Sequence, residues 1–240
     1  MNRVFDFGFP MVSVPAGVSS SSWGQALLGK EPEEVRSALE IIWPETSHPE
    51  VHRLREKFLN FIPWGLSCSG DAVFLRLDHP DFPGGPQGKG DCYYFSMPGS
   101  TDELAGAFSK FGIGESPGAM EFFRLFRGLR ESIDVAGGFE LPSEWRGFGE
   151  EIAPWREYID DLEAIKPWET SVKIYHALNG DMVLMNGAGC TAWYRFEDQT
   201  IQPIAPHFGD FLCYFRKHLD CHWPFDSHGM QQSPLRCSHV

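Results

Sequence analysis

Between Glu150 and Glu169 the chain reads EEIAPWREYIDDLEAIKPWE, seven carboxylates against two cations, with Trp155 and Trp168 among them. Such a density of carboxylates could work as an acid/base pair or attract a cationic partner. Asp160 and Asp161 are the tempting pair. Adjacent residues on a helix do not face each other, so they read as surface charge. Helical periodicity predicts Trp155, Ile159, Leu162 and Ile165 as the inward stripe of a helix over 154–165, with Glu157, Asp160, Asp161 and Glu163 mostly outside it. One reading is a partner-binding surface of Glu150, Glu151, Glu157, Asp160, Asp161 and Glu163, with Trp155 or Trp168 as an aromatic anchor. The other is a solvated acidic face that serves solubility, the commoner case for an acidic helix.

Other motifs carry less. In NGDMVLMNGAGC, Asn179 to Cys190, glycines could cradle a phosphate, but that requires a strand before them and a helix after. Strand-like sequence lies on both sides here, and Ala192 stands where a third glycine is needed, so the turns of a β-meander are expected. GGPQGKG, Gly84 to Gly90, fails as a P-loop, with Pro83 for the first glycine and Gly90 for the Ser or Thr. GLSCSG, Gly65 to Gly70, nearly makes a nucleophile elbow, but Ser69 replaces the second glycine. The set His218, Cys221, His222, His228, Cys237 and His239 lacks the tight paired spacing of structural zinc sites. No metal and no cofactor is expected. SGDAVFL, KGDCYYF and NGDMVLM share a Gly-Asp before an apolar run, which suits a turn whose Asp bonds nearby backbone as a strand begins.

The 240 residues are 42% hydrophobic and 22% charged, with 20 Phe and 8 Trp, enough for a sizeable core. Net charge is −13, and residues 130–169 hold −7 of it. A basic footprint for phosphate is missing, which excludes direct nucleic-acid binding. No apolar run approaches the roughly 20 residues of a membrane span, and Asp6 and Pro10 interrupt any signal-peptide core. Six irregularly spaced cysteines read as reduced thiols, and a cytoplasmic location is expected.

Behind these residues, apolar periods and turn signals predict the supporting elements. Helices are expected over about 32–42, from Ser47-Pro49 with Val51, Leu54 and Phe58 inward, over 101–111 behind a Ser100/Glu103 capping box, and from Ser116-Pro117. Strands are expected at DAVFLRLDH, CYYFSM, SVKIYHAL, DMVLM, CTAWYRFE and TIQPIA, then a helix in PHFGDFLCYFRKHL. Residues 11–30 read as loop. The class is α+β, an antiparallel sheet with a C-terminal meander flanked by helices.

The C-terminal third also resembles the SUKH superfamily, the cell-wall-assembly-regulator and bacterial immunity proteins. The resemblance lies in Gly180-Asp181, the strand carrying Trp193, and IAPHFGDFLCYFRKHL with Ala205, Phe208, Phe211 and Leu212, and upstream in LPSEWRGF, Leu141 to Phe148. It divides the chain into an N-terminal α/β region (1–130), a SUKH-like α+β domain (131–223) and a loose tail (224–240), a single domain being the alternative. It implies no catalysis. It implies instead an immunity protein that neutralises a basic, nuclease-like toxin, a partner suited to an acidic surface. Two rival expectations remain: a small hydrolase or transferase built around Cys68, Ser69, Asp71, His79 and Asp91, and a regulatory adaptor.

Overall fold

The computed structural model describes residues 4–6, 20–69, 72–83, 91–114, 116, 118–131, 137–177, 179–220 and 225. It is an α+β fold. Strands β1 (Val4–Asp6), β2 (Ile62–Ser69), β3 (Ala72–Asp78) and β4 (Cys92–Phe95) pair in that order. Strands β5 (Gly138–Phe139), β6 (Val172–His176), β7 (Met182–Met185), β8 (Thr191–Arg195) and β9 (Thr200–Ala205) form a second run in sequence order. Every pairing is antiparallel. Arg130 bridges Tyr94 on one side and Gly138 on the other, so the two runs join edge to edge.

The helices are α1 (Ser22–Leu27), α2 (Pro32–Ile42), α3 (Pro49–Leu59), α4 (Thr101–Lys110), α5 (Ala119–Leu125), α6 (Phe148–Ile152), α7 (Leu162–Ile165) and α8 (Phe208–His218). Their ends follow from sequence. Helix α4 begins where the Ser100 hydroxyl accepts the Glu103 amide at 3.2 Å. In α2, Pro32 takes the first position, where no amide is needed. Helix α5 starts at Ala119, later than the Ser116-Pro117 signal suggests, because Gly118 turns with φ +82 against the His48 ring. Glu121 of α5 then accepts the His48 amide at 3.0 Å and caps α3.

Val51, Leu54 and Phe58 of α3 are buried as the periodicity predicts. One apolar core runs from Trp23 to Phe225. Rings from both sides of residue 130 meet within it: Phe122–Phe139 centroids are 4.6 Å apart, Phe123–Trp145 4.9 Å and Phe122–Phe208 5.6 Å. Ion pairs Glu50–Arg216 and Lys57–Asp220 tie α3 to α8 across the same divide. In the segment from Pro224, the described residue Phe225 is buried among Tyr175, Trp193 and Phe215.

Helix α1 and strand β2 depart from expectation. The stretch 11–30 contains helix α1, started by the Ser21 hydroxyl on the Gly24 amide and held by the Trp23 indole N–H donating to Phe95 O at 3.0 Å. IPWGLSCS is strand β2, with a bulge between Pro63 and Gly65 that absorbs both strand-breaking residues.

The glycine-rich turn of Asn186 to Gly189 joins β7 to β8, as a meander requires. It also has a structural job. The Gly114 amide donates to Gly187 O at 3.0 Å. A Cβ at Gly187 would lie 2.8 Å from Gly112 O, and one at Gly189, where φ is +80, 2.5 Å from the Ser116 hydroxyl. The glycines let two loops from opposite sides of residue 130 touch backbone to backbone. Asp181 shows what the Gly-Asp phrase does in NGDMVLM. It is buried, accepts the Phe196 amide at 2.9 Å and the Asn179 side-chain amide at 2.9 Å, and so fastens the start of β7 to the end of β8.

Candidate partner-binding surface

The acidic segment is not one helix. Pro154 and Pro167 cannot sit in a helix interior, so the chain breaks into α6, a 3-10 turn Ala153–Tyr158, α7 and a 3-10 turn Lys166–Trp168. Four apolar side chains still dock it. Phe148, Ile152, Ile159 and Ile165 pack with Met182, Leu184 and Tyr194, which come from β7 and β8. The Phe148 and Tyr194 rings lie 5.0 Å apart. Backbone contacts fix the entry: Phe148 N–H donates to Ser171 O at 2.8 Å, and Gly149 N–H to Glu169 O at 3.0 Å. Burial of these side chains stabilises the segment by roughly 1.5–3 kcal/mol each.

The break corrects the inward stripe. Ile159 and Ile165 are buried, but Trp155 is 42% exposed and Leu162 37%. Tyr158, which the sequence reading passed over, is 67% exposed. A helical period of 3.6 sends Trp155 inward with Ile159, whereas the 3-10 turn redirects it. The available signal was Pro154, which argues against a helix spanning that point.

The predicted carboxylates divide into groups. Glu150, Glu157 and Asp160 are exposed and have no cationic partner among the described residues. Asp161 is exposed, but its Oδ1 accepts the Ala164 amide at 3.1 Å and caps α7. Glu163 lies 3.6 Å from Lys166, an exposed pair of little energetic weight. Glu151 is turned inward to Lys173 at 2.9 Å and takes part in structure, as does half-buried Trp168, packed against the apolar cluster. Arg156, the segment's other cation, pairs with Glu169. Both local cations are therefore engaged by neighbours, and the remaining carboxylates keep their field.

Behind Glu151 lies a small charged network. Lys173 also approaches Glu140 at 3.4 Å, and His176 Nδ1 meets the same Glu140 oxygen at 2.8 Å. Burial alone would raise the Glu140 pKa. The hydrogen bond from His176 and the Lys173 charge outweigh it and hold the carboxyl below its ordinary value.

Of the rival catalytic set, His79 and Asp91 are the members whose side chains lie among the described residues. His79 is buried edge-on to Phe61 at 5.0 Å, and its Nδ1 accepts the Asp81 amide. The Asp91 amide donates to Phe82 O and its carbonyl accepts from the His79 amide, a chain-folding contact. GLSCS, Gly65 to Ser69, lies within β2, which pairs antiparallel with β3, and a nucleophile elbow leads instead into a helix. Asp71, the side chains of Cys68 and Ser69, and the loop GGPQGKG lie outside the described residues. Of the C-terminal His/Cys set, His218 packs at a tilt against Phe225 and lies 3.4 Å from Glu131, while Cys221, His222, His228, Cys237 and His239 lie outside the described residues. Among the described residues no group of three or more His, Cys, Asp or Glu could hold a metal, and no helix is long and apolar enough to cross a membrane.

Comparison with protein-family models, with curated proteins and with solved structures found no match to this chain.

Proposed function

We propose that the chain is a non-catalytic protein-binding domain that holds a basic protein against the segment from Glu150 to Glu163. One observation carries the reading. Glu150, Glu157 and Asp160 stand exposed without a cation among the described residues, on a segment pinned by Phe148, Ile152, Ile159 and Ile165. A fixed negative field of this kind accelerates encounter with a positive partner and disfavours acidic ones. The SUKH-like features of Leu141 to Phe148 and Gly180 to Leu212 narrow the proposal to an immunity protein. Its partner is then a basic nuclease-type toxin, neutralised by occlusion of the toxin's nucleic-acid groove. The irregular spacing of the six cysteines suits a reducing cytoplasm as its place of action.

The test uses the full chain as bait in extract of the native cell, beside the variant Glu150→Lys/Glu157→Lys/Asp160→Lys. The expected result is a basic protein that the wild-type chain retains at low salt, releases as salt rises, and that the variant fails to retain. Equal capture of that protein by both baits removes this surface from the account.

A further inference from the structure

The acidic segment presents more than charge. Trp155 and Tyr158 lie three residues apart in the 3-10 turn Ala153–Tyr158. Three residues per turn and a rise of about 2 Å per residue bring them onto one edge, about 6 Å apart along the axis. Both are well exposed, and neither contacts another ring or a cation among the described residues. Glu157 lies between them in sequence and Asp160 just beyond, both exposed carboxylates without a cation among the described residues. Ile152 and Ile159, buried on either side, hold the turn in place. Large aromatic area left in solvent on a fixed turn is what an interface anchor requires.

We infer that Trp155 and Tyr158 make this face a reader of arginine, not of positive charge in general. The inference rests on the reading of the segment as a docking surface. A guanidinium is planar and weakly hydrated, so it can stack on an aromatic face while its edge pairs with a carboxylate. An ammonium is compact and strongly hydrated and gains less from the rings. The chain itself shows this chemistry: the Arg76 guanidinium lies 4.0 Å over Trp64 while Asp78 takes its Nε and Nη2 at 2.7 and 2.9 Å. The occupant is therefore an arginine-bearing segment of a basic protein. A second copy of this chain is a poor occupant, because it would set two acidic segments against each other.

The test measures binding of hexa-arginine and hexa-lysine peptides to the full chain by calorimetry at low salt. The Trp indole N–H signals of the unmodified protein provide a second readout. The expected result is roughly fivefold tighter binding of hexa-arginine, with one indole signal shifted by it alone. In Trp155→Ala/Tyr158→Ala the preference disappears while hexa-lysine binding is unchanged. Equal affinity for both peptides, lowered for both by Glu150→Gln/Glu157→Gln/Asp160→Asn, overturns arginine selectivity and leaves the acidic docking surface standing. No binding of either peptide overturns both. A concentration-dependent dimer in sedimentation, abolished by Trp155→Ala/Tyr158→Ala, assigns the face to a second copy and also overturns the inference.

Discussion

The outer side of β2–β4 and the outer side of β7–β8 use the same ingredients to opposite ends. On the first, Trp64, Arg76 and Asp78 close on one another, and Arg76 and Asp78 are 1% and 0% exposed. Beside them burial, with the Asp78 charge, pushes the Cys92 thiol up to about 12. On the second, Trp155, Tyr158, Glu157 and Asp160 have the carboxylates and rings, while Arg156 of the same turn is paired with Glu169 instead. A buried carboxylate must be paired, because desolvation would otherwise be too costly, whereas an exposed one is hydrated and can wait for a partner. Charge that is matched inside a fold belongs to its structure. Charge left unmatched on a pinned surface is available for recognition.

The contrast breaks most visibly at the buried pair. Asp78→Ala should cost about 3–5 kcal/mol, since it removes the carboxylate paired with a desolvated guanidinium, and denaturant unfolding measures it. A cost near zero would mean that Arg76 finds other compensation. Next comes the backbone contact that joins the two parts of the chain. Gly189→Ala places a Cβ against the Ser116 hydroxyl at a φ of +80 and should cost about 1–3 kcal/mol in the same assay.

Acid sharpens the contrast further. Glu121 and Glu140 both have pKa values lowered in the folded state. Burial opposes the shift in each, and the hydrogen bonds from Ser47 and the His48 amide, or from His176 and Lys173, prevail. A lowered folded pKa stabilises above the unfolded value of 4.5 and is lost as pH falls through the folded one. Thermal unfolding should therefore show a Tm that is flat near neutrality and falls below about pH 4.5. The exposed carboxylates should matter least to stability. Glu157→Lys and Asp160→Lys should each leave it within about 0.5 kcal/mol, and a slight gain from relieved repulsion would fit the same picture.

Much of this architecture was legible in the residues. Val51, Leu54 and Phe58 at helical spacing, the Ser100 cap, and the Asn179-Gly180 and Asp198-Gln199 turns led directly to α3, α4 and the meander β6–β9. At the last turn Gln199 adopts φ +56, and the Thr200 hydroxyl donates to Asp198 at 2.6 Å. What stayed hidden was set by tertiary contact. Strand β2 carries Pro63 and Gly65, which locally argue against a strand, and its pairing with β3 overrides them through a bulge. Helix α1 is short and Ser/Gly-flanked, and the Trp23 bond to Phe95, 72 residues away, holds it. At the candidate surface the charge was readable and the ring exposure was not. Trp155 keeps 3.6 spacing with Ile159, and only the 3-10 turn after Pro154 sends it to solvent. Glu151 was indistinguishable from Glu150 in sequence, because Lys173 approaches it from a strand more than twenty residues on.

The most direct test of the central claim is the affinity of the captured basic partner for the wild-type chain and for Glu150→Lys/Glu157→Lys/Asp160→Lys, measured across a salt series. The account predicts that reversal weakens binding at least about tenfold at low salt, flattens the salt dependence and leaves the folded state intact. Unchanged affinity and an unchanged salt slope in a folded variant would contradict it.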